Sequence, residues 1–286
     1  MADHPDVPQP PELRGEAAPD RYGVRTGDGD SSDPSYAIFP IIRYDTLGHV
    51  HLVGTGFYVS TNGLFVTARH VLMATFDAKG REKYPIGIVH FLGKGENANF
   101  VLRPILRCAS HPIADVAVGV AAPMNKPDGT PLTNKLLTLT TERPATGERI
   151  TTYAYPKHAN VIDGTRQTIN MVPTWYDGTI EDYFPDGRDK TMLPGPCYQT
   201  SLVIHGGASG GPVFSRSGSV FGINSTGYDD TDLSFVSRVH EIFQLAIDDV
   251  AMGTEPPRRV PLIEIARAGY IVVKPPLVGG PISQAP

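Results

Sequence analysis

The sequence predicts an all-β body in two similar halves, with one helix near its end. Three observations predict it. Short apolar or alternating runs of about five to eight residues are punctuated by Gly, Pro, Asn and Asp. Helical spacing is clear only once, and a polar, proline-containing interval from Pro123 to Pro144 divides the body. The runs are Ala37–Ile42, Leu52–Val59, Leu64–Ala68, Ile86–Phe91, Val116–Val120, Ile150–Tyr155, Gln167–Val172 and Ser219–Asn224. Their lengths favour a barrel or sandwich over alternating strand–helix units. The helical pattern is carried by Val239, Ile242, Phe243, Ala246, Ile247 and Val250 and stops near Gly253 and Pro256. It predicts one amphipathic packing helix over 239–252, with Asp248 and Asp249 on its solvated face. Ala268–Lys274 predicts an extra edge strand, and the alternative is a strand that adds to a partner.

The two ends have a different texture. Of 27 prolines in 286 residues, six lie in 1–34 and seven in 256–286. The first 34 residues carry eight acids against three arginines, which accounts for the entire formal net charge of −5. Such a stretch buries too little apolar surface to offset its ordering entropy, so a disordered acidic tail is expected. The rest is formally neutral and gives no electrostatic reason to expect nucleic acid or an anionic membrane as partner. No apolar run approaches the roughly 18–20 residues that cross a bilayer. The N-terminus lacks the basic start and apolar core of a secretory signal, and 2 cysteines make no disulfide framework. A cytoplasmic location is the expectation, with Cys108 and Cys197 unbridged in a reducing compartment.

Three segments hold the residue types that nucleophilic catalysis needs. Leu64–Leu72 contains Thr67-Ala68-Arg69-His70, His111–Val118 contains Asp115-Val116-Ala117-Val118, and Gly206–Phe214 contains Gly207-Ala208-Ser209-Gly210-Gly211-Pro212. A hydroxyl is a weak nucleophile at neutral pH, so Ser209 needs a base, His70, and a third group, Asp115, to orient that base. Glycines around Ser209 permit a tight turn that aims backbone N–H groups at one point. The Gly207 and Ser209 amides are the natural pair for an oxyanion. The order His…Asp…Ser is that of the chymotrypsin arrangement.

On these three blocks the chain resembles the trypsin-like, chymotrypsin-fold serine proteases. It is more similar to the bacterial glutamyl endopeptidases and high-temperature-requirement proteases than to the secreted digestive enzymes. The resemblance covers roughly residues 36–252. It implies two packed six-stranded antiparallel barrels, a catalytic triad of His70, Asp115 and Ser209, and an oxyanion hole of Gly207 and Ser209. Val220–Ser225 resembles the strand that pairs with substrate, so Ile223, Asn224 and Ser225 are expected to align it. The implied organisation is a tail over 1–34, a protease domain over 35–255 and a proline-rich extension over 256–286. Within the domain, barrel one spans about 35–122, a linker about 123–144, and barrel two with the helix about 145–255. Only 34 residues follow position 252, so no PDZ domain is expected. The implied partner is a protein or peptide substrate; no metal or organic cofactor is needed, and the tails or 268–274 could engage a further protein.

Two departures from the pattern shape expectations. Digestive relatives carry Asp before the nucleophile, where it pairs with a newly cleaved N-terminus. Here that place holds Ala208, and no Ile-Val-Gly-Gly start appears near Tyr36, so activity without zymogen cleavage is expected. Where glutamyl endopeptidases have an acid-recognising histidine, this chain has Asn224. The stretches Tyr198–His205 and Asn224–Tyr228 are expected to form the specificity pocket, with Val203 and Ile204 favouring an apolar one and His205 a different one. Other groups have plainer readings: His111 as a loop residue rather than the base, and His49 and His51 as strand histidines rather than metal ligands. The rival for the whole is a binding scaffold whose triad is misaligned or occluded.

Overall fold

β-branched and aromatic residues in short runs, stopped by turns, build a six-stranded barrel before the linker and another after it. In the computed structural model the described residues are 24–25, 36–75, 83–92, 100–126, 128–163, 166–227 and 233–277. The acidic tail expected over 1–34 lies outside the described residues apart from strand β1 (Val24–Arg25). The first barrel comprises β2 (Ile38–Tyr44), β3 (Val50–Tyr58), β4 (Leu64–Thr67), β5 (Ile86–Phe91), β6 (Phe100–Ser110) and β7 (Ala117–Ala121). It closes in the order β2-β3-β4-β7-β6-β5, every pair antiparallel. Ile38, Ile41, Phe57, Phe65, Val66, Ile88 and Val118 fill it.

In the linker, β8 (Leu136–Leu137) pairs with β1, and β9 (Leu139–Thr140) adds to the second sheet. The second barrel comprises β10 (Arg149–Asp163), β11 (Arg166–Phe184), β12 (Cys197–Thr200), β13 (Pro212–Phe214), β14 (Val220–Gly227) and β15 (Ser234–Arg238). Its order is β13-β10-β11-β12-β15-β14, and the β13–β14 pairing closes it. Ile150, Ile180, Tyr198, Leu202, Val213, Phe221 and Val236 make its core. The expected pair of antiparallel barrels is therefore the observed fold.

The helix expected over 239–252 is corrected. Val239–Gln244 is a 3-10 turn that buries Val239, Ile242 and Phe243. Leu245 is extended, and Ala246–Val250 is a strand, β16. It pairs with β17 (Arg258–Pro261), which sets Ile247 opposite Val260. The helical spacing was also compatible with β-branched Ile247 and Val250 in a ladder, and the partner strand decided between them. After β17 comes a short helix, Leu262–Arg267, whose Leu262 and Ile265 are buried. The extra strand expected at 268–274 shrinks to β18 (Val273–Lys274), parallel to β9. Ala268 and Gly269 instead end the helix, their N–H groups bonding back to Glu264 and Ala266.

Two polar contacts tie distant parts together. Arg103 is 1% exposed and bonds to no carboxylate among the described residues. Its guanidinium donates to Ala122 O, the Tyr58 hydroxyl and Asn134 Oδ1, which fastens the linker to barrel one. Burial, then the Arg103 charge, pushes the neighbouring His90 down to about 4, so it stays neutral. At the far end of the β10–β11 hairpin, the Gln167 amide brackets Val50, donating to its carbonyl at 2.7 Å and accepting from its N–H at 2.8 Å.

Candidate active site

The first member of the site is His70, which enters as a strand becomes a single helical turn. Thr67 ends β4, and Arg69–Met73 forms the turn, α1, pinned by buried Ala68, Val71 and Leu72. Asp115 closes the loop before β7. That loop is shaped by His111, whose Nδ1 accepts the N–H groups of Ile113 and Ala114 at 3.2 and 2.8 Å. His111 Nε2 lies 3.1 Å from Gln244 Oε1, so this ring is fully engaged as scaffold. Arg69 donates to Pro112 O at 2.8 Å from the other side.

The two loops meet at Asp115. Its Oδ1 accepts the His70 N–H at 3.0 Å, and its Oδ2 lies 2.8 Å from His70 Nδ1. Oδ2 also accepts the Ser225 hydroxyl at 2.5 Å. An ionised carboxylate only accepts, so His70 Nδ1 carries the proton and Nε2 is left as the base. Burial pushes the Asp115 carboxyl up, but the His70 ring bond and charge, the Ser225 hydroxyl and the His70 amide outweigh it. Its pKa is therefore held below the ordinary 3.8. The His70 side chain is 50% exposed while that of Asp115 is 13% exposed, the order expected of a reactive base and its support.

Ser209 sits in a loop whose geometry depends on glycine. His205–Ala208 is a β-turn closed by Ala208 N–H to His205 O at 3.0 Å, and Gly207 in its third place has φ +93°. Positive φ there is the mark of a type II turn. The Gly207 and Ser209 amides donate to no protein acceptor among the described residues. Gly210 has φ +87°, and a Cβ on it would lie 2.1 Å from Thr67 Oγ1 and 2.2 Å from Thr55 O. Buried Thr55 is the hub beneath the loop. Its N–H donates to Ser209 O at 2.8 Å, and its hydroxyl donates to Gly207 O at 2.9 Å while accepting from Tyr155 N. Barrel one thus holds the nucleophile loop of barrel two.

The Ser209 hydroxyl donates to Ser225 O at 3.2 Å rather than to His70. That carbonyl is available because the β14–β15 register shifts between Asn224 and Thr226, which leaves Ser225 outside the ladder. Of the three residues expected to align substrate, Ile223 and Asn224 have side chains that are 0% exposed, and Ser225 commits its hydroxyl to Asp115. Ile223 and Asn224 thus lie below the cleft, and the expectation that this strand aligns substrate rests on its backbone. Within the expected specificity stretch, Tyr198 and Leu202 belong to the barrel core and Val203 is 42% exposed. Tyr228 lies outside the described residues. The third bond to Asp115 comes from Ser225, which was legible only as a strand residue; no local motif announces the bond.

A cleft of about 520 Å³ opens beside His70 and Asp115, walled by Met73, Ile113, Met192 and Pro194 and floored by Ser225 and Thr226. A larger cavity, about 690 Å³, lies on barrel two between Arg149, Asp177 and Arg216 and contains none of the three chemical groups. No group of three or more metal-ligating side chains exists among the described residues. His49 and His51 instead face Asp45, at 3.3 and 3.0 Å, and His51 is the chief cause that holds its carboxyl far below the usual range. Cys108 and Cys197 are not bridged, and burial pushes the Cys197 thiol up to about 11.

The trypsin-like peptidase domain family model matches residues 54–223, more than half of the chain. No curated protein matches the chain. Among solved structures, the active form of the Rv3671c protease from M. tuberculosis superposes with a TM-score of 0.50 at 19% identity, over 73% of this chain and 78% of that one. Deg5 superposes with a TM-score of 0.51 at 19% identity, over 73% and 87%. At these identities the likeness concerns the fold.

Proposed function

The chain belongs to the trypsin-like peptidase family of serine proteases, and we propose that it is an endopeptidase in which Ser209, His70 and Asp115 act as a triad. Ser209 Oγ attacks the substrate carbonyl, and its proton passes to His70 Nε2. The tetrahedral intermediate collapses to an acyl-enzyme as His70 gives that proton to the leaving amine; water then repeats the sequence to release the acid. Asp115 keeps the proton on Nδ1 and favours the imidazolium. The Gly207 and Ser209 amides receive the developing oxyanion.

The observation that carries this reading is the Asp115–His70 Nδ1 bond, 2.8 Å, which leaves Nε2 as the free basic atom at the cleft. The bond from Ser209 to Ser225 O implies a first step in the cycle. A substrate backbone N–H that takes over the Ser225 carbonyl releases the hydroxyl to turn toward His70. Ala208 is buried and apolar, so it offers no carboxylate to an incoming N-terminus, and its loop is held by Thr55 and Asn224. Activity is accordingly proposed without N-terminal cleavage.

Ser209→Ala and His70→Ala each lower kcat by several orders of magnitude on a peptide substrate, with the fold retained. Near-normal turnover in either variant rejects the assignment. The second reading, a binding scaffold, draws on the same Ser209–Ser225 bond: if the hydroxyl never leaves that carbonyl, the wild-type chain binds peptide but cleaves none.

A further inference from the structure

Asn224 was expected at the substrate; its surroundings point elsewhere. The side chain is 0% exposed. Its Nδ2 donates to Thr152 Oγ1 at 2.7 Å and to Ala208 O at 3.3 Å. Its Oδ1 is buried with no hydrogen-bond partner among the described residues. Neither partner relies on the amide for its sole hydrogen bond: Ala208 O also accepts the Gly211 N–H at 3.0 Å, and the Thr152 hydroxyl also donates to Pro212 O at 2.8 Å. A buried acceptor without a partner is a cost to folding. By stability alone, an apolar side chain in β14 would serve this position as well or better. The amide therefore has a role other than holding the fold.

That role follows from peptide planarity. In a trans peptide the C=O and N–H point in opposite directions, so fixing one fixes the other. Ala208 O and Ser209 N–H belong to one peptide. With Ala208 O held inward by Asn224 Nδ2 and Gly211 N–H, Ser209 N–H is turned outward, toward the place of the oxyanion. We propose that Asn224 is a positioning residue for the oxyanion-binding amide of Ser209, acting from below the loop through the Ala208 carbonyl. Because an oxyanion forms only as the carbonyl is attacked, this contribution falls on kcat and leaves substrate binding nearly untouched. The inference rests on the triad reading above, but the orientation of the peptide can be tested apart from it.

The experiment uses the full-length chain carrying Asn224→Val, with Asn224→Ala as a second variant that adds no branching. Expected are a kcat lowered by about 10-fold or more, a KM within about 2-fold of wild type, and an inhibition constant for a peptide trifluoromethyl ketone raised in step with the loss in kcat. The melting temperature is expected to be equal or higher. Crystal structures of the variants should show the Ala208–Ser209 peptide rotated, a readout that holds whether or not the wild-type chain turns over substrate. An unchanged peptide overturns the inference. So does an unchanged kcat in an active enzyme, or a kcat that falls only together with melting temperature. A rotated peptide in a chain whose wild type neither cleaves nor reacts with the ketone would uphold Asn224 and reject the triad.

Discussion

Asp115 accepts three hydrogen bonds, two from His70 and one from Ser225, and this convergence sets the chemistry of the site. Its carboxyl pKa is lower in the folded chain than the ordinary 3.8, so ionised Asp115 favours the folded state. The contribution is fully present above pH 3.8 and is lost as pH falls through the lower folded value. Asp115→Asn should therefore be less stable than wild type near neutrality, and the difference in melting temperature should shrink below pH 3.8. Its kcat should drop by about 10⁴-fold, because the amide can donate to Nδ1 and hold the wrong tautomer. A stability gap that widens on acidification would contradict this account. The neighbouring residues explain what could be read in advance. Thr67-Ala68-Arg69-His70 and Gly207–Pro212 are local patterns whose geometry follows from sequence neighbours. The contacts of Asn224, Thr55 and His111 join segments far apart in the chain, and no spacing along the sequence encodes them.

At the scale of elements, the loop before β12 matters as much as the strands. Thr191–Pro194 brings Met192, 58% exposed, to the cleft that Ile113, 53% exposed, and Met73, 42% exposed, line together with His70. An apolar wall of this kind is expected to favour an apolar substrate side chain beside the scissile bond. Met192→Glu should lower kcat/KM for peptides with such a side chain by about 10-fold, the scale of an apolar pocket contact. The reaction of Ser209 with a small fluorophosphonate should be unaffected. Equal kcat/KM in wild type and variant would remove this wall from the account of specificity. The segment 239–267 carries the lesson about elements. Its periodicity fitted a helix, yet β17, contributed by residues beyond 257, recruited Ala246–Val250 into a ladder. The 3-10 turn and the strand each keep the apolar residues inward, so the pattern alone could not choose.

Across the whole molecule, the two barrels are joined by more than the cleft. The main apolar core contains Val260, Leu262, Ile265 and Ile271 together with residues of barrel one, although they lie in the proline-rich stretch that composition sets apart. Burying each contributes about 1.5–3 kcal/mol, so together they rival a typical folding margin of about 5–15 kcal/mol. A chain truncated after Gly253 should lose its cooperative thermal transition or melt far lower than the intact protein. A melting temperature within a few degrees of wild type would show those contacts to be dispensable. The barrel pair was legible from strand spacing and from three short motifs in order. The terminal packing was not, because prolines at 256, 257 and 261 read as extension while the apolar residues between and after them pack inward.

Covalent labelling of the full-length, untrimmed protein by a fluorophosphonate, with the modified peptide mapped by mass spectrometry, tests the central claim most directly. The account predicts a single adduct on Ser209, absent from Ser209→Ala and strongly slowed in His70→Ala. An intact chain that takes no label, or that reacts only after trimming to a new N-terminus near residue 36, would contradict it.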